Sequence, residues 1–561
     1  RVQLLEGALS VDRQSAHQLD EAAIADGWRL ACTASITDDC RVRIPRDSLQ
    51  EEIVAAYADA WGVLEPDTGL QWRDISVPPA GIDDQRSDQQ RLRDALAMPD
   101  LRLPLSLLVS MPQRLRSDGT HRAVLRGDEL VALLPAGHDV LGVACDLGTT
   151  TIVVALFDLA TGERLGEASC PNPQQDMGAD VVSRMGHALS DATLASRLQS
   201  MVVDRIQELI TELCTTRAVP TSSVGRLVVA GNTAMQHLLL GLDVRGMAMA
   251  PFVPATLAGL RLPAADVGFG LACGAELLVM PGIAAYVGGD IVAGLLARRC
   301  DESLPGPVLF VDIGTNGELV LMHEGRLTAT ATAAGPAFEG AGISCGMRAR
   351  PGAIDRVRFT GDDLRIHSVA EADPVGLCGS GLLEAVAALL DCGLCDETGL
   401  LLEDDELEEM PAAVATRVVA CESGSAVALD PAARVLLTQK DLRQLQLAKA
   451  AIAGGIQVLL QRAGIRPEDL HAVVLAGGFG FHLDLRAAQR VGLLPVGLSQ
   501  DQVLAVGNTS LAGARLCLLR SDCWQRAAAI AGNCSAIELS GQADFEEAYV
   551  DAMEFPEAVD A

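Results

Sequence analysis

The sequence predicts an α/β protein with two similar lobes, and three observations lead to this expectation. Ala, Leu, Val and Gly dominate the 561 residues and aromatic residues make up 3%, which suits helices packed on sheets better than an all-β chain. From about residue 140, buried strands that end in Gly-rich turns alternate with helical patterns. A segment of strand, Asp-x-Gly-Thr and second strand occurs twice, with Asp146 and Asp312 in equivalent positions. Two copies at a domain-sized separation predict two lobes that face each other.

Composition and charge narrow the class of protein further. Hydrophobic residues make up 49% and charged residues 21%, which is enough apolar surface for large folded domains. A net charge of −31 repels a phosphate backbone, so we expect no nucleic-acid partner. We find no apolar window long enough to span a membrane and no export signal. Fifteen cysteines without a disulfide-like framework agree with a reducing cytoplasm.

Changes of texture along the chain predict four regions. Residues 1–45 are polar and short of core, and end in an edge-strand pattern closed by proline. Residues 46–137 read as a linker with a small α+β middle domain, and residues 138–540 carry the two-lobed α/β pattern. Residues 541–561 form an acidic C-terminal segment. Because residues 537–561 hold eight acidic and no basic residues, we expect a solvated tail.

Each copy of the repeat has the pattern of a β-hairpin whose tip carries polar residues. Glycine at a tip lets backbone N–H groups approach phosphate oxygens closely, and threonines add hydroxyl donors. The Asp before each tip repels phosphate but can hold Mg²⁺ through water. One copy alone is an ordinary turn, whereas two facing copies predict a clamp for a triphosphate. The residues concerned are Asp146, Gly148, Thr149, Thr150 and Thr151 in the first copy and Asp312, Gly314, Thr315, Asn316 and Gly317 in the second.

Two further segments are expected to border the same gap. A buried strand runs into a turn that contains Gly477, Gly478 and Gly480. Glycines there would let the backbone lie flat against a base or ribose, although a tight strand-to-helix turn is the alternative. Asp290 stands at the start of a helix rich in small residues and faces the gap if the lobes pack as predicted.

The order of these motifs resembles that of the actin, hexokinase or sugar-kinase, and chaperone ATPase superfamily, whose two lobes are ribonuclease H-like. The residues within these motifs resemble those of a narrower family, the reductive activators of corrinoid proteins. In that family, ATP-dependent enzymes return inactive cob(II)alamin-type cofactors to the cob(I) state. The resemblance covers essentially the whole chain and is carried by residues 312–318, 334–340, 376–384, 475–480 and 506–509.

The resemblance implies roles for the motif residues. The two hairpins would hold ATP phosphates, with Mg²⁺ bound through water by Asp146 and Asp312, and the Gly477 turn would lie near the adenosine. Glu318 and Asp290 would orient metal-bound or attacking water. For this last pair a structural role stays equally open, because acidic residues are favoured at helix starts in any case.

The resemblance also implies an N-terminal plant-type ferredoxin domain of β-grasp fold, with a [2Fe–2S] cluster on four cysteines. Residues 27–32 resemble the region of the fourth ligand, residues 42–45 the strand after it, and residues 1–7 the strand that follows the third ligand. We therefore expect Cys32 to be a cluster ligand in a longer protein, with the other three ligands upstream of residue 1.

The function implied is transfer of one electron from the cluster to Co(II) of a corrinoid protein in a methyltransferase system, which regenerates Co(I). An upstream electron donor would reduce the cluster, and nucleotide energy would overcome the unfavourable potential. Monomer and homodimer both stay open. Two alternatives are a small-molecule or sugar kinase, for which we identify no sugar-binding insertion with a catalytic Asp, and a nucleotide-gated chaperone without a redox role.

Overall fold

The computed structural model describes residues 64–557, apart from 118, 303, 403–405, 408–409, 422–423 and 481–482, together with five short strands nearer the start. These strands are β1 Val2–Glu6, β2 Leu9–Val11, β3 Trp28–Arg29, β4 Ala34–Ile36 and β5 Arg41–Arg43. Strand β1 pairs antiparallel with β3 and β5, and β2 pairs with β4. Cys32 lies outside the described residues, so its role as a cluster ligand stays a prediction.

A small α+β unit comes next in the chain. It contains β6 Gln71–Ser76, α1 Asp88–Leu96, α2 Leu105–Ser117, β7 Thr120–Arg126 and β8 Glu129–Pro135. The strands pair antiparallel in the order β6-β7-β8. Apolar side chains of the two helices and the sheet form a separate core, which Cys273 of the following lobe also joins. The unit is therefore packed against the first lobe.

The first lobe is built on a mixed sheet. Its strands are β9 Leu141–Leu147, β10 Thr151–Asp158, β11 Arg164–Pro171, β12 Val224–Gly231, β13 Leu260–Pro263 and β14 Glu276–Val279. They lie in the order β11-β10-β9-β12-β14-β13. Strands β9, β10 and β11 are antiparallel neighbours, whereas β9, β12 and β14 run parallel. The hairpin of β9 and β10 thus stands beside the parallel half of the sheet.

Helices cover this sheet. They are α3 Val181–Ser190, α4 Ala192–Thr216, α5 Thr233–Leu240, α6 Arg245–Ala248, α7 Ala264–Val267 and α8 Gly289–Ala297. Helix α4 begins where the Asp191 side chain accepts a hydrogen bond from the N–H of Thr193. Leu198, Val202 and Ile206 lie at helical spacing on its buried face. None of the helices in the described part of the chain is long and apolar enough to cross a membrane.

The second lobe repeats the strand order of the first. Its strands and those of its insertions are β15 Val308–Ile313, β16 Gly317–His323, β17 Arg326–Thr332, β18 Ala353–Thr360, β19 Asp363–Ser368, β20 Gly376–Leu377, β21 Val418–Cys421, β22 Gly424–Ala428, β23 Leu436–Thr438, β24 Ala472–Ala476, β25 Val503–Gly507 and β26 Cys534–Ala536. The main sheet has the order β25-β24-β15-β16-β17-β26. The run β17-β16-β15-β24-β25 matches β11-β10-β9-β12-β14 in order and direction. This match confirms the predicted pair of similar α/β lobes.

The remaining helices are α9 Gly379–Cys392, α10 Ala412–Ala415, α11 Gln439–Ala463, α12 Gly477–Gly480, α13 Leu485–Arg490, α14 Thr509–Leu519, α15 Ser521–Asn533 and α16 Ala543–Asp551. Helix α14 packs on α8 and on the first lobe's sheet, so the chain returns to that lobe near its end. The backbones of α8 and α14 approach closely at Gly513, where a Cβ would collide with the backbone of Ala293. Glycine at this crossing lets the two helices approach each other closely.

The expectation of a solvated acidic tail is wrong for residues 543–557. Helix α16 packs along α11, and Phe555 is 3% exposed in the core of the second lobe. The N–H of Phe555 donates to the carbonyl of Glu397 at 2.8 Å. The count of acidic residues predicted a solvated segment, whereas its few apolar residues are buried.

Candidate functional site

The two hairpin tips face each other across a cleft of about 420 Å³ between the lobes. The hydroxyl oxygens of Thr150 and Thr315, one from each tip, lie 3.1 Å apart. The structure therefore brings most of the predicted site residues together. Those that line the cleft are Asp146, Gly148, Thr149, Thr150, Thr151, Asp290, Asp312, Gly314, Thr315, Asn316, Glu318, Gly477 and Gly478.

Two predicted residues do not line the cleft. Gly317 is buried in β16, where a Cβ would lie 2.8 Å from side-chain atoms of Ile452 and Thr332. A Cβ on Gly480 would lie 3.1 Å from the Cβ of Leu475. Close packing against neighbouring side chains explains both glycines without a bound ligand.

Both hairpin tips are closed by a backbone hydrogen bond from the glycine, but the first spans three residues and the second spans two. The N–H of Gly148 donates to the carbonyl of Thr151 at 3.0 Å, and that of Gly314 donates to the carbonyl of Asn316 at 2.9 Å. A Cβ on Gly148 would lie 2.6 Å from the Thr151 carbonyl oxygen, so any other residue would force the tip open. The predicted hairpins are thus confirmed as tight turns.

Side chains of the first lobe hold the first tip in place. The Asn172 amide donates to the carbonyl of Gly148 at 2.9 Å, and the Arg184 guanidinium donates to the carbonyl of Thr149 at 2.6 Å. Arg184 is fully buried, and this burial lowers its pKa to about 10. The tip is therefore fixed by its own lobe before any ligand arrives.

Asp146 lies at the end of β9 and is anchored by helix α14. Its Oδ2 accepts a hydrogen bond from the Asn508 amide at 2.8 Å, and its Oδ1 accepts one from the Ser510 hydroxyl at 2.7 Å. Burial raises the pKa of Asp146, against these two hydrogen bonds. Asn508 and Ser510 therefore orient a carboxylate that lies more than 360 residues earlier in the chain.

Asp312 occupies the equivalent position at the end of β15. Gly477 has φ +82°, and a Cβ there would lie 2.7 Å from the Asp312 Oδ1 atom. Only glycine allows this approach of the turn after β24. Burial raises the pKa of Asp312 to about 7, and the carboxylates of Asp290 and Asp146 add to the shift.

Asp290 and Glu318 complete a cluster of four carboxylates. Burial, with the Asp146 charge, raises the pKa of Asp290 to about 7, although its Oδ1 accepts a hydrogen bond from the N–H of Ile291. Glu318 is 7% exposed, and burial together with Asp290 and Asp312 raises its pKa well above the usual range. Burial is the main cause of these raised pKa values, and repulsion between the carboxylates adds to it at Asp290, Asp312 and Glu318.

The carboxylates fit a hydrated divalent cation. Among the residues that the structure describes, no three Asp, Glu, His or Cys side chains converge closely enough to hold a metal ion directly. Mg²⁺ commonly keeps several waters and binds through one or two carboxylates and substrate phosphates. A cation of this kind would offset the repulsion within the cluster, as the motif analysis anticipated for Asp146 and Asp312.

Several residues that the sequence analysis did not assign also line the cleft. Phe338 and Phe479 lie side by side, with ring centroids 4.7 Å apart, near the Gly477 turn. Many of the unassigned residues fall inside the motif segments 334–340, 376–384, 475–480 and 506–509, so the motifs held the signal without naming the side chains. These cleft residues are Asn232, Phe338, Glu339, Met347, Arg348, Cys378, Gly379, Ser380, Phe479, Asn508, Thr509 and Ser510.

Two lobes with a ribonuclease H-like strand order, each presenting an Asp-x-Gly-Thr hairpin to a shared cleft, define an ASKHA-type core, the class of actin, hexokinase and chaperone ATPases. Family models match the chain in three consecutive blocks. They describe the RACo linker region at residues 63–139, the RACo middle region at 141–303 and the C-terminal ASKHA domain of RACo at 306–560. A solved structure of a reductive activator for corrinoid, iron-sulfur protein is 32% identical, with a TM-score of 0.75. The match covers 99% of this chain and 91% of the chain in that structure. The chain belongs to the RACo family.

Two curated relatives are similar to it over most of their length. The corrinoid activation enzyme RamQ of Eubacterium limosum is 29% identical over 543 residues, which are 93% of this chain and 88% of that protein. The [Co(II) methylated amine-specific corrinoid protein] reductase of Methanosarcina barkeri is 29% identical over 420 residues, 68% of this chain and 70% of that protein.

Proposed function

We propose that this chain is an ATP-dependent reductive activator of a corrinoid protein. One electron passes to Co(II) of the partner's corrinoid, which becomes Co(I). Membership of the RACo family supports this function, as do relatives named as a corrinoid activation enzyme and a corrinoid protein reductase. The single observation that carries the ATP dependence is the pair of hairpin tips that meet across the cleft, with Thr150 and Thr315 in contact.

The nucleotide would lie between the lobes. Backbone N–H groups and hydroxyls of the two tips bind the phosphates, and Asp146 and Asp312 hold Mg²⁺ through its waters. Mg²⁺ supplies positive charge to the phosphates and to the carboxylate cluster. The Gly477 turn leaves room for the adenosine beside Phe479, which lines the same part of the cleft.

Nucleotide energy is needed because Co(I) is a strong reductant. Each 100 mV by which the electron donor falls short costs about 2.3 kcal/mol per electron. Two-lobed ATPases open and close their cleft as the bound nucleotide changes. In this protein the contact between Thr150 and Thr315 spans the cleft, so an opening of the lobes would break it. We propose that this change of closure alters docking on the corrinoid protein and so the potential of its cobalt.

The direct test uses a corrinoid protein of a methyltransferase system in its Co(II) state, with an upstream reductant. We expect the Co(I) absorption band to appear only when ATP and Mg²⁺ are present. Asp146→Asn and Asp312→Asn should abolish the reaction, whereas Asp362→Asn, at an exposed turn between β18 and β19, should not. Absence of Co(I) formation with every cognate partner would refute the proposal. A phosphorylated metabolite as product would favour a kinase instead.

The electron source is a separate part of the proposal. The resemblance assigns a [2Fe–2S] cluster to the N-terminal domain, where it would supply one electron at a time. Cys32 would be one ligand. Iron and sulfide analysis of the full-length natural protein, with Cys32→Ser as the comparison, tests this assignment. Iron-free protein that still reduces Co(II) would overturn the cluster and leave the nucleotide site intact.

A further inference from the structure

The charges that line the cleft are unbalanced. Among the described residues that line it, five are carboxylates and one is a cation, the guanidinium of Arg348. ATP adds further negative charge to the same space, and Mg²⁺ offsets part of it. Arg348 is therefore the one described side chain on the cleft wall that can meet phosphate with a permanent positive charge.

The backbone that carries Arg348 is held firmly. The N–H of Met347 donates to the carbonyl of Leu377 at 2.9 Å, and the N–H of Leu377 donates to the carbonyl of Cys345 at 2.8 Å. Gly340 has φ +79°, and a Cβ there would lie 2.7 Å from the Met347 nitrogen. The segment before Arg348 is thus locked to β20 and to the Gly340 turn.

The side chain of Arg348 reaches across to the other lobe. Its Nη2 donates to the carbonyl of Thr150 at 3.2 Å, on the tip of the first hairpin. This tip is also the place where Thr150 meets Thr315. No ion pair between Arg348 and a carboxylate occurs among the described residues. The guanidinium lies where the two hairpin tips converge, and there it donates to a neutral carbonyl. A phosphate oxygen could take the place of this carbonyl, and the hydrogen bond would be stronger because both groups are charged.

We propose that Arg348 is a catalytic residue of the nucleotide site, which binds the terminal phosphate of ATP and stabilises the charge that develops during its hydrolysis. The inference rests on the proposed function. In the reaction, a water oxygen bonds to the terminal phosphorus and the bond to the bridging oxygen breaks. The bridging oxygen keeps the electron pair as part of ADP, and the proton of the water leaves to solvent as phosphate forms. Arg348 neither gains nor loses a proton.

The competing explanation is that Arg348 only latches the lobes together through Thr150. A latch would affect every nucleotide that needs closed lobes, whereas a phosphate ligand would affect only nucleotides with a third phosphate. Arg350, two residues further on, provides a matched control because it is exposed on the same segment and does not line the cleft.

The experiment measures the binding of ADP and of a non-hydrolysable ATP analogue, both with Mg²⁺, by calorimetry. We expect wild type and Arg350→Ala to prefer the analogue. Arg348→Ala should lose at least about tenfold in affinity for the analogue and less than about twofold for ADP, because a charged hydrogen bond is lost only with the terminal phosphate. Arg348→Lys should lie between the two. Thermal melting checks that the exposed substitutions leave the fold intact.

Turnover gives a second readout. We expect the kcat of ATP hydrolysis to fall by about 100-fold in Arg348→Ala, with a smaller change in KM. Equal losses for ADP and the analogue, an unchanged preference, or a wild type without preference would each overturn the inference. Wild-type ATP-dependent reduction of Co(II) together with any of these results would leave the proposed function standing. A wild type that binds neither nucleotide would refute both.

Discussion

The hydroxyl groups of Thr150 and Thr315 lie 3.1 Å apart, although the residues are 165 positions apart in the chain and belong to different lobes. The Thr315 hydroxyl also lies 3.1 Å from the carboxylate of Glu339, to which it donates. One polar surface thus runs continuously from lobe to lobe. A phosphate between the tips would accept hydrogen bonds from both threonines, so the two hydroxyls should act as a unit.

Replacing either threonine by valine tests this coupling. Thr150→Val and Thr315→Val keep the shape of the side chain and remove the hydroxyl, and each should weaken ATP binding by about tenfold. The double variant should lose less than the product of the two, because both hydroxyls serve the same phosphate. Calorimetric titration with ATP and Mg²⁺ measures the cycle. Thr360→Val, on the exposed end of β18, is the control, and strictly multiplicative losses would contradict the shared contact.

Metal-free protein should show the cost of the carboxylate cluster as a function of pH. The pKa of Asp312 is about 7 in the folded protein against an ordinary value of 3.8, so the folded state binds the proton more tightly than the unfolded chain. The stability associated with this group is therefore greatest below about pH 4 and is lost as the pH rises towards 7. Asp312→Asn removes this loss.

The measurement is thermal melting in EDTA at pH 5 and pH 8. Asp312→Asn should be more stable than wild type by about 3–4 kcal/mol at pH 8 and by about 1–2 kcal/mol at pH 5. Added Mg²⁺ should narrow the difference, since the cation offsets the repulsion in wild type. For Asp362→Asn, an exposed turn residue, we expect no such pH-dependent difference. The same difference at both pH values would show that the cluster is not strained.

Local patterns were sufficient to predict the two hairpins and the Gly477 turn. In each case an apolar strand pattern is followed directly by turn residues such as Asp or Gly. The strand pattern and the turn residues together occupy about a dozen consecutive positions, so the sequence alone reveals them. The repeat then predicted that the hairpins face each other, and so that Asp146 and Asp312 share one gap. This inference needed only the symmetry of two similar lobes.

Other features of the site have no local signal. Asn508 and Ser510 bond to Asp146 because α14 returns to the first lobe after the second is complete. Arg348 of the second lobe bonds to Thr150 because the two lobes face each other across the cleft. The C-terminal segment misled the composition argument, because the isolated Phe555 is buried while its acidic neighbours dominate the count. Long-range packing decided these positions.

A buried ion pair joins the small α+β unit to the first lobe, and Glu276→Gln should break it. Glu276 accepts hydrogen bonds from Arg226 of β12 at 3.0 Å and from Arg126 of β7. Burial acts to raise the pKa of Glu276, but these two arginines, together with Arg261, outweigh it and hold the pKa below its usual value. Gln would leave Arg226, which is 2% exposed, without its counter-charge. We expect a loss of about 3–5 kcal/mol in the free energy of unfolding.

Urea denaturation measures this loss, and Glu129→Gln is the matched control. Glu129 pairs with the same Arg126 at 2.8 Å, but both side chains are 29% exposed, so we expect a change of less than about 1 kcal/mol. Equal effects of the two substitutions would show that burial does not set the strength of the pair. In the Glu276→Gln variant the α+β unit should unfold at a lower urea concentration than the lobes, since Arg126 belongs to that unit.

The C-terminal segment should contribute to the stability of the second lobe through Phe555. The Phe555 ring is 3% exposed, and the ammonium of Lys449 lies 4.9 Å from its centroid. Lys449 also donates to the carbonyl of Glu554 at 2.5 Å, and burial lowers its pKa to about 8. Phe555→Ala would open a cavity beside a buried cation, so we expect a loss of about 3–5 kcal/mol in the free energy of unfolding.

The matched control is Val550→Ala, at a side chain that is 64% exposed, which should change the free energy of unfolding by less than about 0.5 kcal/mol. Urea denaturation of both variants decides whether the segment is part of the folded core, since equal stabilities would mean that it is not.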